Sequence, residues 1–382
     1  MQYRDFGKLN VKPSLLGFGT MRLPVLSEKS SDIDTKEAIR MIRYAIDQGV
    51  NYVDTAWTYH DSQSEIVTGQ ALKDGYREKV MLATKNPTWL LRNTEDWDQY
   101  LDRQLEKLQT NSIDFYLQHS LTQNNWETFK NLNSWDRAME AKKSGKIKYF
   151  GFSFHDSQEL FMEILDAYDW DFCQIQFNYL DENYQAGLKG LEKAASKNIG
   201  VVVMEPLRGG RLVNGLPKDL LDRMDAYPVK RKPVDWALKW VANHPGVSTI
   251  LSGMNTFEQV EENLNLCSAP DMTPNNMSAK DLSFIEQLSF DWKAKKLVGC
   301  TGCNYCMPCP QGVDIPGCFS IYNNAHSAEA HAEETSRRNY KKLCENQSDA
   351  TQCVECGACE SACPQHLPII ETLKCLHTEL EE

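Results

Sequence analysis

Residues 51–60 read NYVDTAWTYH, a short β-prone run that ends at Asp54 and is followed five residues later by Tyr59. A tyrosine is a weak proton donor at neutral pH. Acid chemistry at Tyr59 therefore needs a nearby cation that lowers its pKa, and an anion that holds this cation. Asp54 is a candidate for the anion. The stretch predicts a strand whose carboxyl end points into a pocket.

Two further β-prone runs carry polar side chains of the required kind at their ends. VMLATK ends at Lys85, and IDFYLQHS carries His119 next to its last residue. In a (β/α)8 barrel the carboxyl ends of neighbouring strands meet at one face, and the active site lies there. We therefore predict that these two side chains converge with the acid and the tyrosine described above.

The order of β-prone and helical segments favours such a barrel over roughly the first three quarters of the chain. A hairpin around residues 7–10 is expected to close the bottom of the barrel. Eight strands are predicted at residues 15–20, 51–54, 80–84, 113–117, 147–153, 172–177, 200–204 and 247–251. Amphipathic helices are predicted between them, for example a helix capped by Asp34 or Thr35, one capped by Thr94, and one that ends at Gly145.

Composition limits the class of protein. The chain has 382 residues, enough for a full barrel and a second domain. Its formal charge of −12 argues against nucleic acid and against an anionic membrane surface as partners. The apolar runs are too short to span a bilayer, and the start MQYRDFGKLN does not resemble a secretory signal. We therefore expect a cytoplasmic protein with no membrane span.

The cysteines are concentrated at one end of the chain. Of the 13 cysteines only Cys173 and Cys267 precede residue 300. This change in composition predicts a domain boundary near residue 290, between a barrel at residues 1–290 and a smaller domain at residues 291–382.

Eight of these cysteines form two runs, CTGCNYCMPCP and CVECGACESACP. The second run has the C-x2-C-x2-C-x3-C-P spacing of a protein that binds two 4Fe-4S clusters, and the first has one residue fewer before its last cysteine. In this pattern the first three cysteines of a run bind one cluster and the fourth reaches the other. The predicted ligands are Cys300, Cys303, Cys306 and Cys363 for one cluster, and Cys353, Cys356, Cys359 and Cys309 for the other.

Two other interpretations of the runs are weaker. A tetrahedral zinc site has no use for the third and fourth cysteine of a run, and disulfides are disfavoured in a reducing cytoplasm. The remaining Cys318, Cys344 and Cys375 are expected to be buried thiols. The segment 315–343 between the runs has no Gly or Pro after Gly317 and predicts helix, which favours an α-helical ferredoxin-like domain.

In the contexts DTAWTY, ATK and YLQHS, the four polar residues resemble the tetrad of the aldo-keto reductases, which are NAD(P)H-dependent carbonyl reductases on a (β/α)8 TIM barrel. The whole chain resembles a bacterial branch with a ferredoxin-like domain fused behind the barrel. The resemblance implies that Tyr59 protonates the carbonyl oxygen, that Lys85, held by Asp54, lowers the pKa of Tyr59, and that His119 orients the carbonyl. Each residue alone has an ordinary structural interpretation, and the combination carries the inference.

The resemblance also implies a set of residues that bind the cofactor. These contact the nicotinamide and its carboxamide, the pyrophosphate loop and the adenine: Gly19, Thr20, Ser153, Gln174, Pro206, Leu207, Arg208, Glu262 and Asn263. Phe154 stands where the family usually has Asn, and Glu205 where a tyrosine usually stacks on the nicotinamide. The basic residues that hold a 2′-phosphate are absent, so the choice between NAD and NADP stays open.

Three functional hypotheses remain. In the first, the barrel interconverts a small-molecule carbonyl and an alcohol with NAD(P)H, and the clusters are structural, sense redox state or serve a partner protein. In the second, the protein transfers electrons or senses redox state for a partner and the barrel is not a reductase. In the third, a flavin or a substrate radical couples the pocket to the clusters, because a hydride carries two electrons whereas a cluster passes one.

Overall fold

The computed structural model describes residues 1–293, 297–326 and 332–381. Eight parallel strands form a closed barrel in chain order, and the last strand pairs with the first. The predicted (β/α)8 fold is confirmed. The strands are β1 (Leu16–Gly19), β2 (Tyr52–Asp54), β3 (Met81–Asn86), β4 (Ile113–Leu121), β5 (Ile147–Phe154), β6 (Phe172–Gln176), β7 (Gly200–Met204) and β8 (Thr249–Gly253).

Helices follow the strands and continue after the barrel. They are α1 (Thr35–Asp47), α2 (Ser64–Ala71), α3 (Thr94–Leu108), α4 (Gln123–Asn131), α5 (Ser134–Lys143), α6 (Gln158–Ala167), α7 (Gly187–Ser196), α8 (Arg211–Asn214), α9 (Lys218–Ala226), α10 (Pro233–Ala242), α11 (Phe257–Ser268), α12 (Ala279–Lys293), α13 (Ile315–Ala325), α14 (Ala332–Glu345), α15 (Ala358–Ala362) and α16 (Ile369–Glu381). In the part of the chain that the structure covers, none of them has both the length and the apolar character to cross a membrane.

The chain folds as two compact units. The first is formed by Met1–Pro206 with Ala237–Ser278, and the second by Leu207–Trp236 with Ala279–Glu382. The second unit therefore combines the segment after β7 with the carboxyl-terminal quarter. The domain boundary near residue 290 stays a prediction, because neither unit is one continuous stretch of chain.

An aromatic plug fills the bottom of the barrel. Phe6 and Leu9 form an antiparallel bridge, as the predicted hairpin requires. The buried ring of Phe6 lies 4.9 Å from that of Phe115 and 5.8 Å from that of Phe172, measured between centroids. A Cβ at Gly200 would lie 2.3 Å from the Phe6 ring, so the first residue of β7 has to be glycine for the plug to fit.

Several element ends differ from the prediction. β4 continues to Leu121, four residues past its predicted end, and β3 includes Asn86. β8 begins and ends two residues later than predicted. Pairing to the neighbouring strands decides these ends, and the apolar pattern does not record it. The cap of α3 is Asn93 and not Thr94, because the Asn93 side chain accepts a hydrogen bond from the Asp96 amide and the Asp96 carboxylate accepts one from the Asn93 amide.

The helix predicted to end at Gly145 is two helices, α4 and α5. The chain breaks between them at Asn133, which has φ of 51°. Asn is one of the few residues other than glycine that tolerates this left-handed conformation. The single helical pattern in the sequence therefore concealed a turn.

The carboxyl-terminal part of the second unit has its own core. α13, α14 and α16 pack around buried Phe319, Tyr340 and Leu376. The helical prediction for residues 315–343 is confirmed in α13 and α14, and residues 327–331 lie outside the described part. Cys318 is buried as expected. The same expectation is wrong for Cys344 and Cys375, which are exposed on the outer faces of α14 and α16.

His244, just beyond α10, makes the first unit sensitive to acid. Its ring lies 4.6 Å from the Trp240 ring and 4.9 Å from the Phe177 ring, and burial, followed by the positive charge of Arg4, lowers its pKa to about 4. Between this value and the ordinary 6.5, the unfolded chain binds a proton that the folded chain does not. Stability therefore falls as the pH falls through this window, by about 1–2 kcal/mol at pH 5.

We therefore expect His244→Gln to weaken the pH dependence of the free energy of unfolding. Urea denaturation at pH 7.5 and pH 5, followed by tryptophan fluorescence, measures it for the variant and the wild type. Equal losses of stability in both proteins would show that His244 titrates normally.

Candidate functional site

The ammonium of Lys85 makes several close polar contacts at the mouth of the barrel. β3 places it in a fully buried position, where its Nζ lies 2.7 and 2.8 Å from the two carboxylate oxygens of Asp54 at the end of β2. The same Nζ donates to the Thr55 carbonyl at 2.8 Å and lies 3.3 Å from the Tyr59 hydroxyl. Three of the four residues predicted for the tetrad are therefore in direct contact.

The pKa of Tyr59 does not follow the sequence-based expectation. Burial first, and then the negative charges of Asp54 and Glu205, raise the pKa of Tyr59 well above its usual value. The expectation that Lys85 produces a lowered pKa is wrong for the protein alone. Burial also lowers the pKa of Lys85, and the charge of Asp54 opposes that shift. Tyr59 is thus fully protonated at neutral pH, which is the state that a proton donor needs.

His119 completes the group. It lies near the end of β4, where the register shifts and Ser120 has φ of 54°. The imidazole stands edge-on to the Tyr59 ring at 6.2 Å and 5.0 Å from the Trp89 ring, measured between centroids. Burial first, and then the charge of Lys85, lowers the pKa of His119 well below its usual value. The imidazole is therefore neutral at physiological pH and keeps one N–H to donate.

Glu205 is a further charged group of this site. It follows β7 directly and has φ of 53°, and its carbonyl accepts a hydrogen bond from the buried Asn178 side chain at 3.1 Å. Strained backbone of this kind is concentrated at functional sites. The effect of its carboxylate on the pKa of Tyr59 gives the site a negative charge where the family usually has an aromatic ring.

The residues predicted to contact the nicotinamide lie at neighbouring strand ends. Thr20, after β1, donates to the Asp54 carbonyl at 3.0 Å. Ser153 on β5 pairs in register with Gln174 on β6, and the Ser153 hydroxyl accepts from the Ser120 amide at 2.8 Å. Within the described chain, Oε1 of the buried Gln174 has no hydrogen-bond partner. An unsatisfied buried acceptor of this kind fits the amino group of a carboxamide.

The other predicted cofactor contacts are less distinctive. Pro206 lies two residues after the end of β7 and is the last residue of its stretch of the first unit. Leu207 and Arg208 belong to the second unit, where Arg208 donates to the Gly299 carbonyl at 3.0 Å. Asn263 is buried and donates to the Ser252 hydroxyl at 2.9 Å, and its neighbour Glu262 is half-buried on α11. Their role toward a dinucleotide, like that of Gly19 at the end of β1, stays a prediction.

The second unit contains two cavities lined by cysteines. One is lined by Cys306, Cys309, Cys353, Cys356 and Cys359. The other is lined by Cys300, Cys303, Cys306 and Cys363. Apart from Cys306, which lines both cavities, the linings match the two crossed sets expected from the spacing. Within the described residues, no three His, Cys, Asp or Glu side chains lie close enough to hold a single metal ion. Cysteine thiolates are the ligands of 4Fe-4S clusters, so the cysteine lining of the two cavities fits two such clusters.

Comparison with known proteins decides the family. Residues 15–281 match the aldo/keto reductase family. The chain belongs to the aldo/keto reductases. Residues 299–367 match a 4Fe-4S dicluster domain, so the reductase barrel is followed by an iron–sulfur domain.

Relatives of this aldo/keto reductase are similar over the barrel. The NADH-specific methylglyoxal reductase of Escherichia coli is 26% identical over 69% of this chain and 93% of its own. The uncharacterized oxidoreductase YrpG of Bacillus subtilis is 27% identical over 69% of this chain and 90% of its own. The holo form of aldo-keto reductase AKR11C1 from Bacillus halodurans superposes with a TM-score of 0.61, at 26% identity, over 75% of this chain and 96% of that one.

Two contributors to the reductase site were not predicted. Thr55 binds Lys85 through its carbonyl, and Glu65, at the start of α2, is completely buried. A backbone carbonyl leaves no trace in a sequence. A glutamate in the first turn of a helix is so common that it indicates only a helix start.

Proposed function

We propose that this aldo/keto reductase interconverts a small carbonyl compound and its alcohol, with a hydride from NAD(P)H and a proton from Tyr59. The observation that carries the proposal is the contact of the Lys85 ammonium with the Tyr59 hydroxyl while Asp54 holds the ammonium from behind. When bound, NAD(P)H supplies the hydride. The unsatisfied acceptor of Gln174, beside Ser153, supports the nicotinamide position.

The residues of the site act on the carbonyl oxygen. The neutral His119 donates a hydrogen bond that fixes the oxygen beside Tyr59. Tyr59, protonated at neutral pH, gives its proton as negative charge develops on that oxygen. The ammonium of Lys85 stabilises the phenolate that remains, and Asp54 keeps the ammonium in place. In the reverse direction the phenolate accepts the proton from an alcohol.

The names of two relatives and an aromatic neighbour of His119 support a proposal for the substrate class. Two relatives from Escherichia coli are named as methylglyoxal reductases. The ring of Trp89 lies 5.0 Å from the ring of His119 and gives the site an aromatic neighbour. We propose a small aldehyde or ketone of the methylglyoxal type as the substrate, in the cytoplasm.

The iron–sulfur domain supports a second role. The two crossed cysteine sets would hold two 4Fe-4S clusters, which pass single electrons when bound. Cys356 is exposed, so one cluster would lie near the surface of its unit. We propose that these clusters exchange electrons with a partner protein or sense redox state. They would not accept the hydride directly.

The function is tested with protein purified without oxygen and with its clusters intact. NADH and NADPH are each supplied with methylglyoxal, and oxidation of the cofactor and formation of the alcohol are followed. We expect the cofactor to be oxidised at the same rate as the alcohol is formed. A protein that binds the cofactor but reduces no aldehyde or ketone would overturn the proposal in favour of electron transfer.

A further inference from the structure

Ser64 connects two of the strand ends that carry the site. It is the first residue of α2 and is fully buried. Its hydroxyl lies 2.7 Å from the Thr20 hydroxyl after β1 and 2.9 Å from the Thr55 hydroxyl after β2. Because Thr20 also donates to the Asp54 carbonyl at 3.0 Å, one hydroxyl fixes the ends of β1 and β2 against each other.

Glu65 connects the third strand end. Its Oε1 accepts from the Thr84 hydroxyl at 2.7 Å and from the Gln104 side-chain amide at 2.6 Å. The same amide of Gln104 donates to the Lys85 carbonyl at 3.0 Å. Residues 84 and 85 of β3 are therefore both held through one carboxylate, and Lys85 is the residue whose ammonium touches the tyrosine.

Among the described residues, Glu65 has one ion pair, with the more exposed Lys107. Its Oε2 lies 3.3 Å from Nζ of Lys107, whose side chain is 19% exposed whereas that of Glu65 is 0% exposed. The Lys107 ammonium lies 3.5 Å above the Trp57 ring, two residues before Tyr59. A fully buried carboxylate is expensive in free energy unless its hydrogen bonds are all used. Glu65 also favours the charged form of Lys85.

We propose that Ser64 and Glu65 are positioning residues that hold the ends of β1, β2 and β3 together, so that the Lys85 ammonium stays in contact with the Tyr59 hydroxyl. They touch neither substrate nor cofactor. The effect on turnover rests on the proposed function, whereas the positioning of Tyr59 does not. A small displacement of a catalytic group can lower the rate by as much as about 100-fold. Ser64 and Glu65 therefore affect the rate through the position of Lys85 relative to Tyr59.

The chain offers a matched control on the same helix. Thr68 lies one turn after Ser64, is fully buried, and its hydroxyl has no hydrogen-bond partner in the described chain. Thr68→Val therefore changes a buried hydroxyl of α2 without touching the strand ends. Glu65→Gln keeps the size of the side chain and removes its charge, and Ser64→Ala removes the hydroxyl.

The test measures the site with and without turnover, in the full-length protein with its clusters. The first readout is the 13C resonance of the Tyr59 ring in protein with labelled tyrosine. This resonance is assigned by its loss in Tyr59→Phe. The second is the division of the rate effect between kcat and KM for methylglyoxal. We expect Glu65→Gln and Ser64→Ala to move the resonance and to lower kcat by about 10- to 100-fold, with KM and the Kd of NAD(P)H within about twofold. Thr68→Val should change none of these.

The outcomes separate the two proposals. If the resonance of Tyr59 moves in Glu65→Gln but the wild type reduces no carbonyl, the positioning stands and the proposed function fails. If the resonance stays in place in both variants, or moves equally in Thr68→Val, the positioning role is overturned, even if the melting temperature falls. A loss confined to KM would also overturn it.

Discussion

Tyr59→Phe lowers kcat for carbonyl reduction by about 10²- to 10⁴-fold, the range expected when a general acid is removed. The hydroxyl of Tyr59 lies 3.3 Å from the Lys85 ammonium. A phenyl ring keeps the shape of the side chain and its edge-on contact with His119. Folding and cofactor binding should therefore be retained, which circular dichroism and NAD(P)H fluorescence check.

Tyr52→Phe is the matched control for this variant. Tyr52 is fully buried on β2, the strand that precedes Tyr59, and its hydroxyl has no hydrogen-bond partner in the described part of the chain. The same change of one oxygen atom, made away from Lys85, should leave kcat within about twofold. Equal activity of Tyr59→Phe and wild type would contradict the assignment of Tyr59 as the proton donor.

Replacement of one cysteine in either cavity is expected to remove one cluster of two. Iron and acid-labile sulfide should fall from about eight to about four per chain in Cys303→Ser, because a cubane that lacks one of its thiolate ligands is labile. Cys363→Ser should have the same effect and leave the same electron paramagnetic resonance signal, since both residues line one cavity although 60 positions separate them. Measurements are made on protein kept without oxygen.

Cys375→Ser provides the control, because this exposed cysteine lines neither cavity and should leave iron at about eight per chain. Cys356→Ser should also lose half of the iron but keep the other signal, since Cys356 lines the other cavity. Crossed ligation would be contradicted if Cys363→Ser left the same signal as Cys356→Ser. The two runs would then each hold their own cluster.

The barrel could be predicted because each strand is an apolar, β-prone run that a helical pattern separates from the next. The ends of the strands could not. β4 runs on to Leu121 because it pairs with β5 as far as Phe154, and this pairing involves a register shift that no local pattern encodes. The position of His119 inside a strand, and not after it, is a consequence.

The tetrad could be predicted from the kind of residue at three strand ends, but its electrostatics could not. The raised pKa of Tyr59 depends on complete burial and on Glu205, which lies 146 residues away in the chain. Glu65 was missed for a similar reason. Its partners lie on β3 and α3, and only the fold brings them together around a buried charge.

The cysteine runs were the most predictable part of the chain, because cluster ligation depends on local spacing. The structure adds that the fourth cysteine of each run lines the cavity formed by the other run. The exposure of Cys344 and Cys375 depends on which faces of α14 and α16 pack inward. That information lies in the tertiary packing of the unit.

In the proposed reaction, a hydride and the proton of Tyr59 reach one carbonyl group at the mouth of the barrel. The most direct measurement is the transfer of isotope from NAD(P)H that carries deuterium at C4, on one face or the other, to methylglyoxal, with the alcohol product analysed by mass spectrometry. We expect one deuterium on the new carbinol carbon from one of the two labelled faces and none from the other. An alcohol that carries no deuterium from either face would contradict it, because the electrons would then have come through the clusters or another carrier.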